Sequence, residues 1–123
     1  MSERAGLLVR AGEELGFVPA ATARSVVALP LVSPVASTPL AMTLVNGRVV
    51  PVVALGSPTG VLVLCELDQE PVGFSGLDVM RVGFFAATER GVVVDGRIVP
   101  ELDLAGAWRS LETALEPQLG EPP

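Results

Sequence analysis

The chain of 123 residues contains no histidine, no tyrosine and no lysine, and it has one cysteine, Cys65. Without histidine and tyrosine it lacks the commonest general bases, many metal ligands and every phenolic donor. A single cysteine rules out an intrachain disulfide. With no histidine to activate it, Cys65 is not set up as a nucleophile. It sits inside Val61-Leu-Val-Leu-Cys65-Glu-Leu67, an aliphatic run, and reads as a small buried hydrophobe. Positive charge is scarce. Eight arginines against fourteen acids leave a net charge of −6. A nucleic-acid binder needs a basic surface to displace counterions from phosphate, so that class is excluded.

Long apolar runs are missing too. The longest candidate, Val26 to Val35, is cut by Pro30, Ser33 and Pro34. It falls short of the roughly 18 residues a membrane helix needs. The start, Met1-Ser-Glu-Arg-Ala-Gly6, has neither the basic opening nor the apolar stretch of a signal peptide. The expected location is therefore cytoplasmic, with no membrane insertion. Gly56-Ser-Pro-Thr-Gly60 is too short for a phosphate loop and has no lysine, so it reads as a turn. No cofactor is expected.

Hydrophobic residues make up half of the chain. An apolar chain without a membrane span has two explanations. One is a strand-rich core with few polar positions, and the other is an exposed apolar patch that meets a partner. The two are compatible.

The most informative positive feature is a repeat. Thr43-Leu-Val-Asn46-Gly47-Arg48-Val-Val-Pro51-Val-Val-Ala-Leu55 returns as Val92-Val-Val-Asp95-Gly96-Arg97-Ile-Val-Pro100-Glu-Leu-Asp-Leu104. Each copy reads as a strand, a two-residue Asn-Gly or Asp-Gly turn, and a second strand. Both turn positions need positive φ, which those residues tolerate. A weaker echo precedes each copy: Gly73-Phe74 matches Gly16-Phe17, and Asp78 to Val82 matches Thr22 to Val26.

Along the chain, Leu7 to Arg10 and Leu15 to Val18 read as the arms of a hairpin around Gly12. Pro19 suits the first position of one helical turn over Ala20 to Arg24. Ser25 to Leu29 returns to strand. Pro30, Pro34 and Pro39 mark an irregular edge, since proline cannot donate to a central ladder. Val61 to Leu67 is a strand, Asp68 to Pro71 a turn, and Val72 to Ser75 the chain leaving it. Asp103 can cap a helix over residues 104–115, in which Leu104, Ala107, Trp108, Leu111 and Leu115 recur at helical spacing. Pro117 is expected to stop it, leaving a frayed tail over 117–123. The outline is mainly β: one domain over 1–123, with pseudo-repeat halves at about 7–55 and 61–104. Closed barrels hide the edges of so many short strands. Val50, Val52, Leu64 and Val99 are the expected core.

Chemistry-bearing side chains are few. Glu66, Asp68 and Glu70 alternate and would share one strand face. They read as a solvated face running into a turn, with a hard-metal site as the alternative. Arg48 and Arg97 follow the turn glycines. Either they pair with carboxylates, with Glu101 and Asp103 as candidates, or they stand exposed. Trp108 reads as an anchor of the helix on the barrel, or as an interface residue.

The order of these features resembles the CheW-like domain, the adaptor of bacterial chemosensory arrays. Gly12-Glu-Glu-Leu-Gly-Phe17 looks like that family's first hairpin, and Ala23-Arg-Ser-Val26 like the segment after it. Val35-Ala-Ser-Thr-Pro39 is similar to its pre-hairpin loop. Gly47 to Leu55 is similar to its central strand, and Asp95 to Leu104 to its closing hairpin. The matching residues run from about Leu7 to Leu111. Asn46 stands where the family's Asn-Leu-Arg-Gly run has arginine. The segment from Pro39 to Gly47 is shorter than usual, and so are Gly56 to Gly60 and Phe85 to Gly91.

The resemblance implies two intertwined SH3-like five-stranded barrels with a C-terminal helix. It also implies a non-catalytic scaffold that joins chemoreceptor cytoplasmic tips to a histidine kinase. The replacement at Asn46 motivates a reduced variant that binds receptor but not kinase. The partner-binding candidates are Ala23, Arg24, Ser25, Asn46, Arg48 and Arg97. The alternative is a small β-barrel ligand-binding protein or enzyme unrelated to chemosensing.

Overall fold

The computed structural model describes residues 2–35 and 40–120, with side chains as far as residue 113. The order of elements is β1 (Glu3–Ala11), β2 (Glu14–Pro19), β3 (Ala23–Ala28), β4 (Val32–Pro34), β5 (Ala41–Val45), β6 (Arg48–Ala54), β7 (Val61–Leu67), β8 (Glu70–Ser75), β9 (Leu77–Ala87), β10 (Gly91–Val94), β11 (Arg97–Pro100) and α1 (Leu104–Gly120).

Turn chemistry sets the local ladders. Asn46 and Gly47 have φ of 51° and 79°, and Asp95 and Gly96 have 49° and 79°. Both turns close their hairpins in the same register, Val45 opposite Arg48 and Val94 opposite Arg97. The two copies of the sequence repeat are thus the same hairpin. Gly12, at φ 65°, turns β1 into β2. Asp68 and Gln69 turn β7 into β8 with φ of 51° and 68°. That turn is tighter than the four-residue one expected, because both of its central residues take the left-handed conformation usually left to Asn and Gly.

The ladders make two sheets, β11-β10-β9-β1-β2 and β3-β7-β8-β6-β5-β4. Each curls into an SH3-like barrel. In the second sheet, β6 and β8 run parallel, with Val52 opposite Gly73 and Val53 opposite Phe74. In the first, β2 meets the residue just past β11 at one parallel bridge, Phe17 to Glu101, beside a 2.9 Å bond from Leu102 N to the Phe17 carbonyl. β9 serves its barrel twice: it pairs with β1 along Leu77 to Ala86, and with β10 at Ala86 and Ala87. In the other barrel β3 pairs with β7 and β4 with β5. β3 and β4 together are therefore the counterpart of β9, interrupted at Leu29-Pro30-Leu31. Pro30 has no N–H to offer a ladder.

The repeats are intertwined. β1 and β2 join β9, β10 and β11 in one barrel, while β3 to β8 build the other without interruption. Each barrel draws on both sequence repeats.

One cluster of buried residues lies inside the β9–β11 barrel: Leu8, Phe17, Phe85, Val92, Val94 and Val99. Phe17 and Phe85 meet edge to face, with centroids 5.9 Å apart. The larger cluster joins Leu7, Val9 and Val18 to Val63, Val72 and Phe74 of the other barrel, and α1 adds Leu104 and Trp108. Trp108 is thus a helix-to-barrel anchor. Asp103 caps α1, its Oδ1 accepting from Gly106 N at 2.8 Å. A Cβ at position 106 would run into that carboxylate, so any other residue there would make the capping side chain shift.

Several expectations need correction. Residues 20–22 form a reverse turn, closed by Thr22 N to the Pro19 carbonyl at 2.9 Å, and Arg24 already lies in β3. A helical turn there would withhold the backbone groups that β3 gives to β7. Val50, Val52 and Val99 are buried, but Leu64 is half-buried. Leu62, Leu64 and Glu66 share one face of β7, closed over at Leu62 and open to solvent by Glu66. α1 continues through Pro117 to Gly120. Proline deletes one ladder bond, to the carbonyl of the exposed Thr113, which water can satisfy. The pre-hairpin loop at 36–39, the packing of Leu115 and the tail at 121–123 lie outside the described residues.

Candidate functional site

Two concave surfaces bring the singled-out residues together. The first is an open cavity of about 340 Å³ at the end of the β3–β8 barrel. Its lining includes Arg24 and Ser25 from β3, Asn46 and Arg48 from the β5–β6 turn, and Glu66 from β7. Four of the six candidates thus meet here, brought together by the β3–β7 ladder on one side and the parallel β6–β8 ladder on the other.

Arg24 Nη2 lies 2.7 Å from Glu66 Oε2. Arg48 makes no ion pair among the described residues. The two carboxylates offered for it are engaged elsewhere: Glu101 accepts from Arg4 at 2.6 Å, and Asp103 caps α1. With two arginines against one glutamate, the cavity is locally positive on a chain of net charge −6.

The second surface is a groove of about 390 Å³ between the barrels. Ala5, Gly6 and Leu7 of β1 lie along it with Val82 and Phe84 of β9, and Ala23, Arg24, Ser25 and Val26 of β3 face them. It is predominantly apolar. Val82 is 72% exposed and Phe84 73%, and Met80, at the β-bulge of β9 opposite Leu8 and Val9, is exposed too. Side chains on a strand alternate, so Phe85, next after Phe84, points the other way, into the β9–β11 barrel. Arg81 lies over the Phe85 ring at 5.4 Å. Ala23 lines only this groove, whereas Arg24 and Ser25 line both surfaces.

Arg97, the sixth candidate, is set apart. It lies at the end of the other barrel with Glu13, Glu14 and Ile98, around a cavity of about 440 Å³. This is the counterpart of the Arg48 position in the second hairpin, so the structure does not unite Arg97 with the others.

Sequence reasoning did not single out Val26, Met80, Val82 or Phe84. The signal was present as Met80, Val82 and Phe84 at alternate positions of one run. The general expectation of an exposed apolar patch points to them. A second patch lies on the outer face of β5 and β6, where Leu31 is 88% exposed beside Leu44 and Val49.

The remaining candidates resolve simply. Among the described residues no three His, Cys, Asp or Glu side chains gather to hold a metal, and Glu66 is bonded to Arg24 instead. Cys65 is buried, and desolvation pushes its thiol from 9.0 up to about 12. No described helix is long and apolar enough to cross a membrane.

The fold is CheW-like. The structure is similar to that of the scaffolding protein TtCheW from Thermoanaerobacter tengcongensis, with a TM-score of 0.55 and 13% sequence identity. The match covers 66% of this chain and 64% of that protein. At that identity the likeness concerns the fold. No family model matches the sequence, and no curated protein matches it.

Proposed function

We propose that this protein is a non-catalytic adaptor of a chemotaxis-type signalling system. It acts in the cytoplasm as a single unit over 1–123, recruited to receptor arrays. Its groove between the barrels receives the cytoplasmic tip of a chemoreceptor, and the β3–β8 barrel end is the candidate contact for a histidine kinase. The observation that carries the reading is the groove itself. Val82 and Phe84 present exposed apolar area at the junction of two barrels, on a fold shared with a scaffolding protein. An exposed contiguous apolar surface marks an interaction site.

The kinase limb is the weaker of the two. Asn46 lacks the guanidinium that the family carries at that turn, and a short amide cannot make a bidentate contact with carboxylate. Arg48 and Arg24 keep positive charge in the same cavity, set back from the turn.

Purified protein is titrated against a receptor tip fragment and, separately, a kinase regulatory domain. The reading expects micromolar binding to the tip and weaker binding to the kinase domain. Phe84→Asp is expected to abolish the first without unfolding the protein. Kinase binding with no receptor binding would overturn it.

A further inference from the structure

Among the described residues, Arg24 is the one charged side chain that lines the apolar groove, at its margin beside Ser25. The same residue reaches the barrel-end cavity and pairs there with Glu66. That pair is easily given up, since the arginine side chain is 61% exposed and the glutamate 40%, and a pair so accessible to water is held weakly. A groove of aliphatic and aromatic side chains with one guanidinium at its edge fits an apolar segment with one acid at a set position. Few, well-placed polar groups orient a ligand in an apolar site. Arginine also binds carboxylate through a planar fork.

We propose that the segment occupying the groove carries a carboxylate that takes Arg24 from Glu66. Docking in the groove then alters the barrel-end cavity, because Glu66 stays in the cavity that Arg48 also lines, without its former partner. By linkage, whatever holds Arg24 on Glu66 opposes docking. This rests on the adaptor reading, since it assigns a chemistry to the same groove.

The test titrates the receptor tip fragment against wild type, Phe84→Asp, Arg24→Gln, Glu66→Gln and the double variant Arg24→Gln/Glu66→Gln. Arg10→Gln removes equal charge away from the groove and serves as the control. Glu66→Gln should bind about two- to fivefold tighter, because the competing acid is gone. Arg24→Gln should bind about tenfold weaker, and more so at low salt than at high salt. The double variant should match Arg24→Gln, because Glu66 acts only through Arg24, and Arg10→Gln should match wild type. Binding that is lost in Phe84→Asp but indifferent to Arg24 and Glu66 overturns this inference and leaves the adaptor reading standing. A wild-type protein that does not bind the tip, or a Phe84→Asp protein that still does, overturns both.

Discussion

Asn46 and Asp95 hold the same left-handed backbone conformation, φ 51° and 49°, each followed by a glycine at 79°. A Cβ added at Gly47 or at Gly96 would meet nothing within 4 Å. The cost of a side chain at either place is therefore conformational, not steric. Gly47→Ala and Gly96→Ala should each destabilise by about 1 kcal/mol. Urea unfolding of the two variants checks this, and costs differing several-fold would mean the turns are not equivalent.

The shared core should be far less forgiving. Phe74 is fully buried between the barrels. Phe74→Ala should cost about 3–5 kcal/mol. Val52→Asp would bury an unpaired charge and should cost enough to unfold a domain of ordinary stability. Circular dichroism melts compare the two, and a cooperatively folded Val52→Asp protein would contradict the placement of β6.

Arg4 closes the seam where β11 meets β2. It pairs with Glu101 at 2.6 Å and lies over the Phe17 ring at 5.0 Å. Its partial exposure limits the ion pair to at most about 1 kcal/mol, with the ring contact adding about 0.5–1. Arg4→Ala should therefore cost about 1–2 kcal/mol. A double-mutant cycle with Glu101→Gln should assign about half of that to the pair.

Cys65 makes stability pH-dependent at the alkaline end. Its thiol is raised to about 12 in the folded protein from an ordinary 9.0. Below pH 9 both folded and unfolded chains keep the proton, and nothing changes. Between 9 and 12 the unfolded chain releases it and the folded one does not, so stability falls by up to about 1.4 kcal/mol per pH unit. Cys65→Ala should remove that part of the slope in melts across this range. Native protein should also resist alkylation at pH 8 and react once denatured.

Leu31, Leu44 and Val49 should limit solubility without supporting the fold. Leu31→Ser should leave the melting temperature within about 2 °C of wild type, since the side chain is almost wholly exposed. Light scattering at high concentration should show less self-association. A marked loss of stability would place Leu31 in the core instead.

What could be read from residues alone was whatever a few neighbours decide. Asn46-Gly47, Asp95-Gly96 and Gly12 announced their turns because positive φ is a local demand. Asp103 announced the helix because a cap needs only the residues that follow it. The turn at Asp68-Gln69 was blurred because glutamine seldom takes that conformation. The one-turn helix at Ala20 to Arg24 was misread because pairing with β7, far along the chain, outweighed local preference. Arg24 and Arg48 share a cavity only because β6 lies parallel to β8, and no local pattern fixes that register. The groove is harder still. Val82 and Phe84 look like core until that face of β9 is known to meet solvent.

The passage of the chain between barrels sets an order of events during synthesis. Residues 23–75 emerge together and hold every strand of one barrel, so that half can close while the ribosome is still adding β9. The β1–β2 hairpin leaves before it and finishes after it. The outer edge of β1 stays open at Leu8 until Arg81 arrives, and that of β2 at Phe17 until Glu101 does. Through that interval Leu7, Leu8, Val9 and Phe17 belong to an unshielded apolar hairpin with free edges, the kind of species that aggregates or recruits a chaperone. Moving the break in the chain to the β2–β3 turn, with the old ends joined, would make both barrels contiguous and should speed refolding by shortening the loops to be closed.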